Sequence, residues 1–396
     1  MIPAGASLPR VLLVGPLPVP PVTGGVEKGI DLLLRTDLAR RTGMRVFNNY
    51  RRPDPRRSLH SRFRYQFGMV RSLRRELRDR PVDLVHVKTS SGINFHQNAL
   101  FAWTARQQGL PVLLQIHGGK FEVFYKESHP LLRAWIRHAL STVDAVAVLS
   151  RRWADRIAGI APAARLVVIP NGLEASEVAS LSGSEERRPE RVLFVGTGDQ
   201  VLNDEKGLAD LLDVLPGMLR SRPACTWVLA GLHDPAAVRD RLETSLEPAR
   251  LEGRVEFLPC VTGAAKIALL RECSILVLPS HYENMPNILL EAMAAGMGVV
   301  ASDVGAIPEM LRAPEGGMLF RAGDRDGLRR ALSELLGSPS RVRDQGRRNL
   351  DTVTRDYTMS TVEGILERTY RDLGAARDVR PPVRRHLAAP SEEESR

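Results

Sequence analysis

The residues with the clearest chemical potential lie in one segment, residues 278–309. Two carboxylates in it, Glu283 and Glu291, stand eight positions apart on either side of Pro286. Because proline favours the first turn of a helix, the next amides are predicted to be free donors at a helix N-terminus. These amides belong to Asn287, Ile288 and Leu289. Such a terminus suits a diphosphate, and the flanking carboxylates suit neutral hydroxyl groups. The alternative is a solvated helix face with a cap.

A second set of candidate residues lies in the N-terminal half. Gly24 and Gly25 follow an apolar run and precede a helical pattern, which is typical of a backbone that approaches phosphates, although two adjacent glycines can also form a simple tight turn. His117 ends another apolar run and is followed by Gly118 and Gly119, which would let a ligand approach closely. The alternative for this histidine is a structural hydrogen-bond partner.

Two series of short apolar runs predict the elements that must position these residues. The first series comprises residues 10–15, 82–87, 111–116, 145–149 and 166–169, and the second comprises 191–196, 226–231, 255–258, 275–278, 298–301 and 317–320. Helical patterns separate the runs. This alternation predicts parallel strands covered on both faces, and therefore two doubly wound α/β domains.

The domain boundaries follow from changes in composition. We predict an N-terminal domain over residues 1–178, a small, charged, proline-containing linker over 179–189, and a C-terminal domain over 190–365. A helix over 366–379 is expected to return to the N-terminal domain. Residues 380–396 have no apolar period, so we predict a disordered tail there.

Composition excludes several classes of protein. The 396 residues are 43% hydrophobic and 26% charged, which is ordinary for a globular chain and excludes a fibrous or wholly disordered one. Three cysteines without a C-x-x-C pair argue against a disulfide scaffold and a cysteine-based zinc site, and they favour a reducing compartment. No run approaches 18 apolar residues. The first apolar run is predicted to be a buried strand and not a signal peptide.

Charge is distributed unevenly along the chain. The net charge is +10, yet residues 1–180 carry +14 and the remainder carries −4. Eleven arginines lie in Arg51–Arg80, and a helical period of apolar residues runs through part of this segment: Phe63, Phe67, Val70, Leu73 and Leu77. An amphipathic helix on an anionic bilayer and an ordinary packed helix with an arginine-rich surface both fit this pattern. A nucleic-acid partner is not expected, because aromatic residues make up only 5% and no recognition module is present.

The order and spacing of these motifs resemble those of the retaining glycosyltransferases of family 4, which carry an E-x7-E pair and have the GT-B fold. The resemblance covers nearly the whole chain. It rests on residues 24–27 (GGVE), 117–118 (HG), 144–150 (DAVAVLS), 170–172 (PNG), Gly196 with 206–207 (KG), the Glu283 to Glu291 block, and 305–309 (GAIPE).

The resemblance implies a role for each matching residue. Glu283 would contact hydroxyls of the donor sugar, and Glu291 would hold the ribose of the nucleotide. Lys206 would lie against the diphosphate and stabilise the leaving charge, and His117 would lie beside the reacting sugar. The donor would be a UDP-, GDP- or ADP-sugar, and the family works without a structural metal or a separate cofactor.

The chain departs from the family pattern at one position of the donor site. The family has an arginine after the glycine that ends the first strand of the second domain, whereas this chain has Thr197 after Gly196. A hydroxyl cannot replace a guanidinium. Three explanations stay open at this point: another cation such as Lys120 supplies the charge, the enzyme is slower, or catalysis has been lost.

The function implied is transfer of a hexose, with retention, from a nucleoside-diphosphate sugar to an acceptor hydroxyl in bacterial polysaccharide or glycolipid assembly. The acceptor would be lipid-linked or a saccharide. We expect a cytoplasmic protein, with peripheral attachment to the inner face of the membrane if Arg51–Arg80 binds anionic lipid. The alternatives are a non-catalytic subunit that binds nucleotide sugar and a nucleotide-sugar epimerase on the same fold.

Overall fold

The computed structural model describes residues 8–19, 24–50, 59–183, 187–196, 205–247 and 251–378. Within these ranges the chain forms two six-stranded sheets, and every strand pair is parallel. The prediction of two doubly wound α/β domains is confirmed. The predicted tail over residues 380–396 lies outside the described residues.

The first sheet has the strand order β2-β1-β3-β4-β5-β6. Its strands are β1 (Val11–Gly15), β2 (Arg45–Asn48), β3 (Leu84–Thr89), β4 (Val112–Ile116), β5 (Ala145–Val148) and β6 (Leu166–Val168). The helices around it are α1 (Gly25–Leu34), α2 (Asp37–Arg41), α3 (Leu59–Asp79), α4 (Ile93–Gln107), α5 (Phe121–Glu127), α6 (Pro130–Thr142), α7 (Arg151–Ile160) and α8 (Ala175–Leu181). Sequence analysis did not predict β2, a short strand on the sheet edge without a fully buried residue.

The second sheet has the order β12-β11-β10-β7-β8-β9. Its strands are β7 (Arg191–Val195), β8 (Thr226–Ala230), β9 (Val255–Phe257), β10 (Ile275–Leu278), β11 (Gly298–Ser302) and β12 (Met318–Phe320). The helices are α9 (Leu208–Ser221), α10 (Pro235–Glu243), α11 (Gly263–Glu272), α12 (Asn287–Ala294), α13 (Ile307–Leu311), α14 (Arg325–Leu336) and α15 (Pro339–Asp356). A last helix, α16 (Met359–Asp378), follows.

Each sheet is buried on both faces. Along β1, Leu12 and Val14 pack in one apolar cluster, whereas Val11 and Leu13 pack in another. The second sheet divides its residues between two clusters in the same way. This is why the strands read as continuous apolar runs in the sequence, since neither face meets water.

Helix α16 follows the second domain in sequence but packs against the first sheet. Its Tyr370 hydroxyl lies 2.7 Å from Nδ1 of His86 in β3, and both side chains are fully buried. The helix begins at Met359, before the predicted start at residue 366, and α8 runs past residue 178, where the N-terminal domain was predicted to end. No helix in the described part of the chain is long and apolar enough to cross a membrane.

Strand order locates the place where each sheet can bind a ligand. In the first sheet β2 lies on one side of β1 and all later strands lie on the other; in the second sheet β8 and β9 lie on one side of β7 and all later strands lie on the other. The strand order therefore reverses between β1 and β3 and between β7 and β10. Ligands of open α/β sheets bind at the carboxyl ends of the strands beside such a switch point. In this chain the loops after β7 and β10 include Lys206 and Glu283, and the loop after β1 leads to Gly24.

Candidate functional site

Glu283 and Lys206 are in direct contact. Lys206 Nζ lies 2.6 Å from Glu283 Oε1, which also accepts a hydrogen bond of 2.9 Å from the Ser280 hydroxyl. The backbone at Gly207 sets the lysine in place: its φ is +67°, and a Cβ placed there would lie 2.0 Å from the carbonyl oxygen of Pro279. Only glycine can therefore occupy this position. Glu283 is 8% exposed, and these donors compensate its buried negative charge.

Glu291 lies on the buried side of α12 and is compensated by two lysines. Lys28 of α1 donates to its carboxylate at 2.8 Å, and Lys266 of α11 donates at 2.9 Å. Lys28 also donates to Glu177 at 2.8 Å. Burial lowers the pKa of Lys28, but Glu291 and Glu177 outweigh it, and the net shift is upward. The sequence does not single out Lys28 and Lys266, since neither lies in a motif and only the fold brings them to this carboxylate.

The N-terminus of α12 is open at two amides and not at three. Pro286 occupies the position before the helix, and its carbonyl accepts the amide of Leu289 at 3.1 Å, so the prediction that Leu289 is a free donor is wrong. The amides of Asn287 and Ile288 have no acceptor among the described residues. Asn171, in the loop after β6, donates to the Asn287 side-chain oxygen at 3.0 Å and holds this terminus beside the first domain.

A second helix N-terminus faces the first one. Gly24 precedes α1 without any side-chain cap, and Gly25 begins the helix. A Cβ placed on Gly25 would lie 3.7 Å from Nδ2 of Asn287, so the two termini meet across the cleft between the domains. Because each terminus carries a partial positive charge, their meeting point favours an anion.

His117 directly follows β4, and its buried ring nitrogen Nε2 has no hydrogen-bond partner among the described residues. Burial lowers the pKa of His117 well below its usual range, and the charges of Lys88 and His86 act in the same direction. The ring is therefore neutral at physiological pH, and Nε2 can donate a hydrogen bond to a ligand hydroxyl or accept one from it, depending on the tautomer.

The loop after His117 touches the loop that carries Glu283. A Cβ placed on Gly119 would lie 2.7 Å from the carbonyl carbon of Glu283. Asn284 donates to the carbonyl of Ile116 at 3.3 Å, and its own Oδ1 is buried without a partner in the described structure. The predicted residues His117 and Glu283 are thus brought to the same cleft. Asn284 was missed because no pattern in the sequence distinguishes it.

Gly196 and Lys120, which the sequence also singled out, lie near this cleft. Gly196 follows β7, and its amide donates to the carbonyl of Ala230 at 2.8 Å. Thr197 lies outside the described residues. Lys120 forms an ion pair with Glu205, the neighbour of Lys206, and its ammonium lies 4.8 Å from the centre of the Tyr282 ring. Within the described ranges no group of three or more histidine, cysteine, aspartate or glutamate side chains is arranged to hold a metal ion.

Comparison with known families agrees with this arrangement. A family model described as "Glycosyltransferase Family 4" matches residues 26–177, and one described as "Glycosyl transferases group 1" matches residues 189–338. The chain belongs to glycosyltransferase family 4. Each of the two models matches one of the two domains, so the family assignment covers both sides of the cleft.

The names of individual relatives refer to different acceptors. The chain is 28% identical over 329 residues to a phosphatidyl-myo-inositol mannosyltransferase of Mycobacterium leprae, which covers 82% of each chain. It is 27% identical to a 2-deoxystreptamine N-acetyl-D-glucosaminyltransferase of Streptomyces fradiae, over 74% of this chain and 72% of the relative.

Solved structures of GT-B proteins share the fold. The sucrose-phosphate synthase of Thermosynechococcus elongatus superposes with a TM-score of 0.71 at 20% identity, over 92% of this chain and 99% of that one. HepE of Anabaena in complex with UDP gives 0.67 at 16% identity, over 92% and 100%. The GT-B fold predicted from the sequence is confirmed.

Proposed function

We propose that this glycosyltransferase moves a hexose, with retention, from a nucleoside-diphosphate sugar to an acceptor hydroxyl in bacterial polysaccharide or glycolipid assembly. The observation that carries the proposal is the contact between Lys206 and Glu283 at the β7–β10 switch point, against which the loop that follows His117 packs. The names of the relatives support a hexosyl or aminohexosyl donor, and the complex of HepE with UDP supports a nucleotide in the cleft.

In the proposed mechanism the cleft handles charge on the leaving diphosphate. The bond between the anomeric carbon and the phosphate oxygen breaks, the acceptor oxygen bonds to the same face, and the acceptor proton passes to the leaving phosphate. Lys206, Gly24, Gly25 and the amides of Asn287 and Ile288 would stabilise the phosphate charge as it grows. His117 and Glu283 would hydrogen-bond the sugar hydroxyls, and Glu291 would hold the ribose. We propose that no metal or cofactor takes part.

Lys120 is our candidate for the cation that Thr197 does not supply. Its ammonium reaches across the cleft to two residues of the second domain, Glu205 and Tyr282. Glu205 is the sequence neighbour of Lys206. Thr197→Arg tests the point, because a restored guanidinium should raise turnover only where phosphate charge limits the rate. An unchanged turnover would mean that the charge is already supplied.

The donor is the first quantity to measure. Native mass spectrometry with UDP-, GDP- and ADP-sugars should identify one bound nucleotide sugar, and a screen with that donor and lipid or saccharide acceptors should release the free nucleoside diphosphate. Nuclear magnetic resonance of the product should show the anomeric configuration of the donor. Glu283→Gln, which keeps the size of the side chain, is the matched control and should bind the donor with lower turnover.

The same experiment separates the alternatives. A donor sugar whose configuration changes without any acceptor would identify an epimerase. Donor binding with no transfer across the whole acceptor screen would identify a non-catalytic subunit. A chain that binds no nucleotide sugar would contradict the proposal as a whole.

We further propose that the arginine-rich helix α3 attaches the protein to anionic lipid at the inner face of the cytoplasmic membrane and presents the cleft to a lipid-linked acceptor. Val70, Leu73 and Leu77 are buried against the first sheet, which agrees with an ordinary packed helix over its second half. Phe67, however, is 61% exposed, with the Arg71 guanidinium 4.6 Å from its ring centre. The side chain of Phe63 lies outside the described residues.

Liposome sedimentation tests the attachment. Replacing the exposed residues Arg71, Arg74, Arg75 and Arg78 by glutamine should abolish sedimentation with anionic liposomes at low salt, since each arginine near a negative leaflet contributes about 1 kcal/mol. Thermal stability should stay nearly unchanged, because these side chains are on the surface. If the parent protein stays in the supernatant, the attachment proposal is wrong and the transferase proposal is unaffected.

A further inference from the structure

A buried lysine lies outside every role assigned above. Lys88, in β3, is 6% exposed, and its ammonium has no hydrogen bond or ion pair among the described residues. Burial lowers its pKa to about 8. Buried charges in proteins are normally paired, because a lone ammonium loses its hydration without compensation. An unpaired ammonium on a side chain this deeply placed is therefore a candidate for binding an anion that arrives from outside the chain.

The position of Lys88 is that of a ligand-binding residue. It lies next to the last residue of β3, beside Gly15 at the end of β1, where a Cβ placed on Gly15 would be 3.8 Å from Lys88 Cβ. These two strands flank the switch point of the first sheet. Lys88 also lines a cavity of about 30 Å³ whose wall includes Asn287, the first residue of α12. The cavity has room for one or two waters, or for one oxygen of a larger ligand.

The surroundings of the cavity favour an anion. None of its lining residues is an aspartate or a glutamate. Lys28 also lines it, but its ammonium is committed to Glu177 and Glu291. Among the residues that line the cavity, Lys88 is therefore the cation without a carboxylate partner. Helix α1 passes close above it, since a Cβ placed on Gly29 would lie 3.9 Å from Lys88 Nζ, and the uncapped N-terminus of this helix begins one turn earlier.

We propose that Lys88 binds an anionic phosphoryl oxygen of a substrate at the floor of the cleft, between the N-termini of α1 and α12. The inference rests on the proposed function, which places a phosphoryl compound in this cleft. Two sources have the required chemistry: the diphosphate of the donor and a phosphate carried by the acceptor. Lys88 would act as a binding residue in both cases, and its charge would supplement that of Lys206.

The test compares Lys88→Met, which keeps the length and apolar stem of the side chain, with Lys88→Arg, which keeps the charge. Lys126→Met, at an exposed lysine of α5, is the control. Calorimetric titrations use UDP, UMP, uridine and inorganic pyrophosphate, with the guanine series in parallel. A further titration adds sn-glycerol 3-phosphate to protein saturated with the nucleoside diphosphate.

If the donor is the source, Lys88→Met should weaken binding of the nucleoside diphosphate and of pyrophosphate by about ten- to a hundredfold, as expected for one lost charge-assisted hydrogen bond. Uridine binding should be unchanged, and Lys88→Arg should keep most of the affinity. If the acceptor is the source, glycerol 3-phosphate binding should fall while diphosphate binding is retained.

Two results would overturn the proposal. In the first, no phosphate-bearing probe loses affinity in Lys88→Met. In the second, uridine loses as much affinity as UDP, which would show that the substitution disturbs the fold. A parent protein that binds no nucleotide would refute the proposed function instead, and pyrophosphate and glycerol 3-phosphate would still decide the role of Lys88.

Discussion

The ammonium of Lys88 should make the ligand-free protein less stable, so that Lys88→Met is more stable than the parent. Burial lowers the pKa of Lys88 from 10.5 to about 8, and no counter-charge among the described residues offsets this. One pKa unit corresponds to about 1.4 kcal/mol, so keeping this lysine charged in the folded state costs about 3 kcal/mol at neutral pH. Methionine fills the same space without charge, and we expect the free energy of unfolding to rise by about 1–3 kcal/mol.

The pH dependence gives the prediction a second test. Because the folded protein holds this proton less tightly than the unfolded chain, the cost is complete below the folded pKa of about 8 and disappears above 10.5. The parent should therefore gain stability relative to Lys88→Met as the pH rises through this window. Urea unfolding followed by circular dichroism in phosphate-free buffer compares the two proteins at about pH 7, where the cost is complete, and at about pH 10, where most of it is lost.

The stability measurement distinguishes the two roles of Lys88, because a structural role predicts a change of opposite sign in the free energy of unfolding. If Lys88 supported the fold through a contact, Lys88→Met would be less stable than the parent at neutral pH. A gain in stability that is equal at both pH values would also refute the reasoning, since it would come from packing and not from charge. Lys126→Met should match the parent throughout.

Three further predictions concern the cleft and the returning helix. Glu291→Gln should weaken nucleotide binding by about tenfold or more, whereas Glu283→Gln should spare it and lower turnover; equal effects in calorimetry and kinetics would contradict the two assigned roles. Lys206→Ala should lower kcat by about a hundredfold or more while changing donor affinity less, and an unaffected kcat would remove this lysine from the mechanism. Tyr370→Phe should lower the free energy of unfolding by about 1–3 kcal/mol in urea, because it leaves Nδ1 of the buried His86 without a partner, and an unchanged midpoint would show that water replaces the hydroxyl.

The parts of the fold that sequence predicted best are those where burial is two-sided. Runs such as residues 191–196 and 275–278 read as strands because both faces of each sheet are covered, and the motifs then fall at the strand ends. The strand Arg45–Asn48 was missed because an edge strand with half-buried residues and a terminal asparagine has no comparable signal. Element boundaries moved by several residues at α16, where the helical period begins inside the predicted second domain.

The sequence was a better guide to the residues of the candidate site than to the contacts that hold them. Glu283, Lys206 and His117 could be found because their types and spacing match a pattern. Their partners could not, since Lys28 lies 263 positions from Glu291 and only the closure of two domains brings them together. Lys88 is the extreme case: in the sequence it is a lysine near a strand end, and its significance appears only with its burial and its missing counter-charge.

Under the proposed function, the pairing of Lys206 with Glu283 would link the two halves of the donor molecule. In the described structure each charge satisfies the other, and both side chains are largely buried. A diphosphate that draws Lys206 toward itself leaves the Glu283 carboxylate with the Ser280 hydroxyl as its remaining described donor, and a buried carboxylate that loses a donor is costly. Sugar hydroxyls that donate to Glu283 would remove that cost. A nucleotide without its sugar lacks those donors, so the exchange of partners would favour the complete donor over its product and would assist release of the diphosphate after transfer.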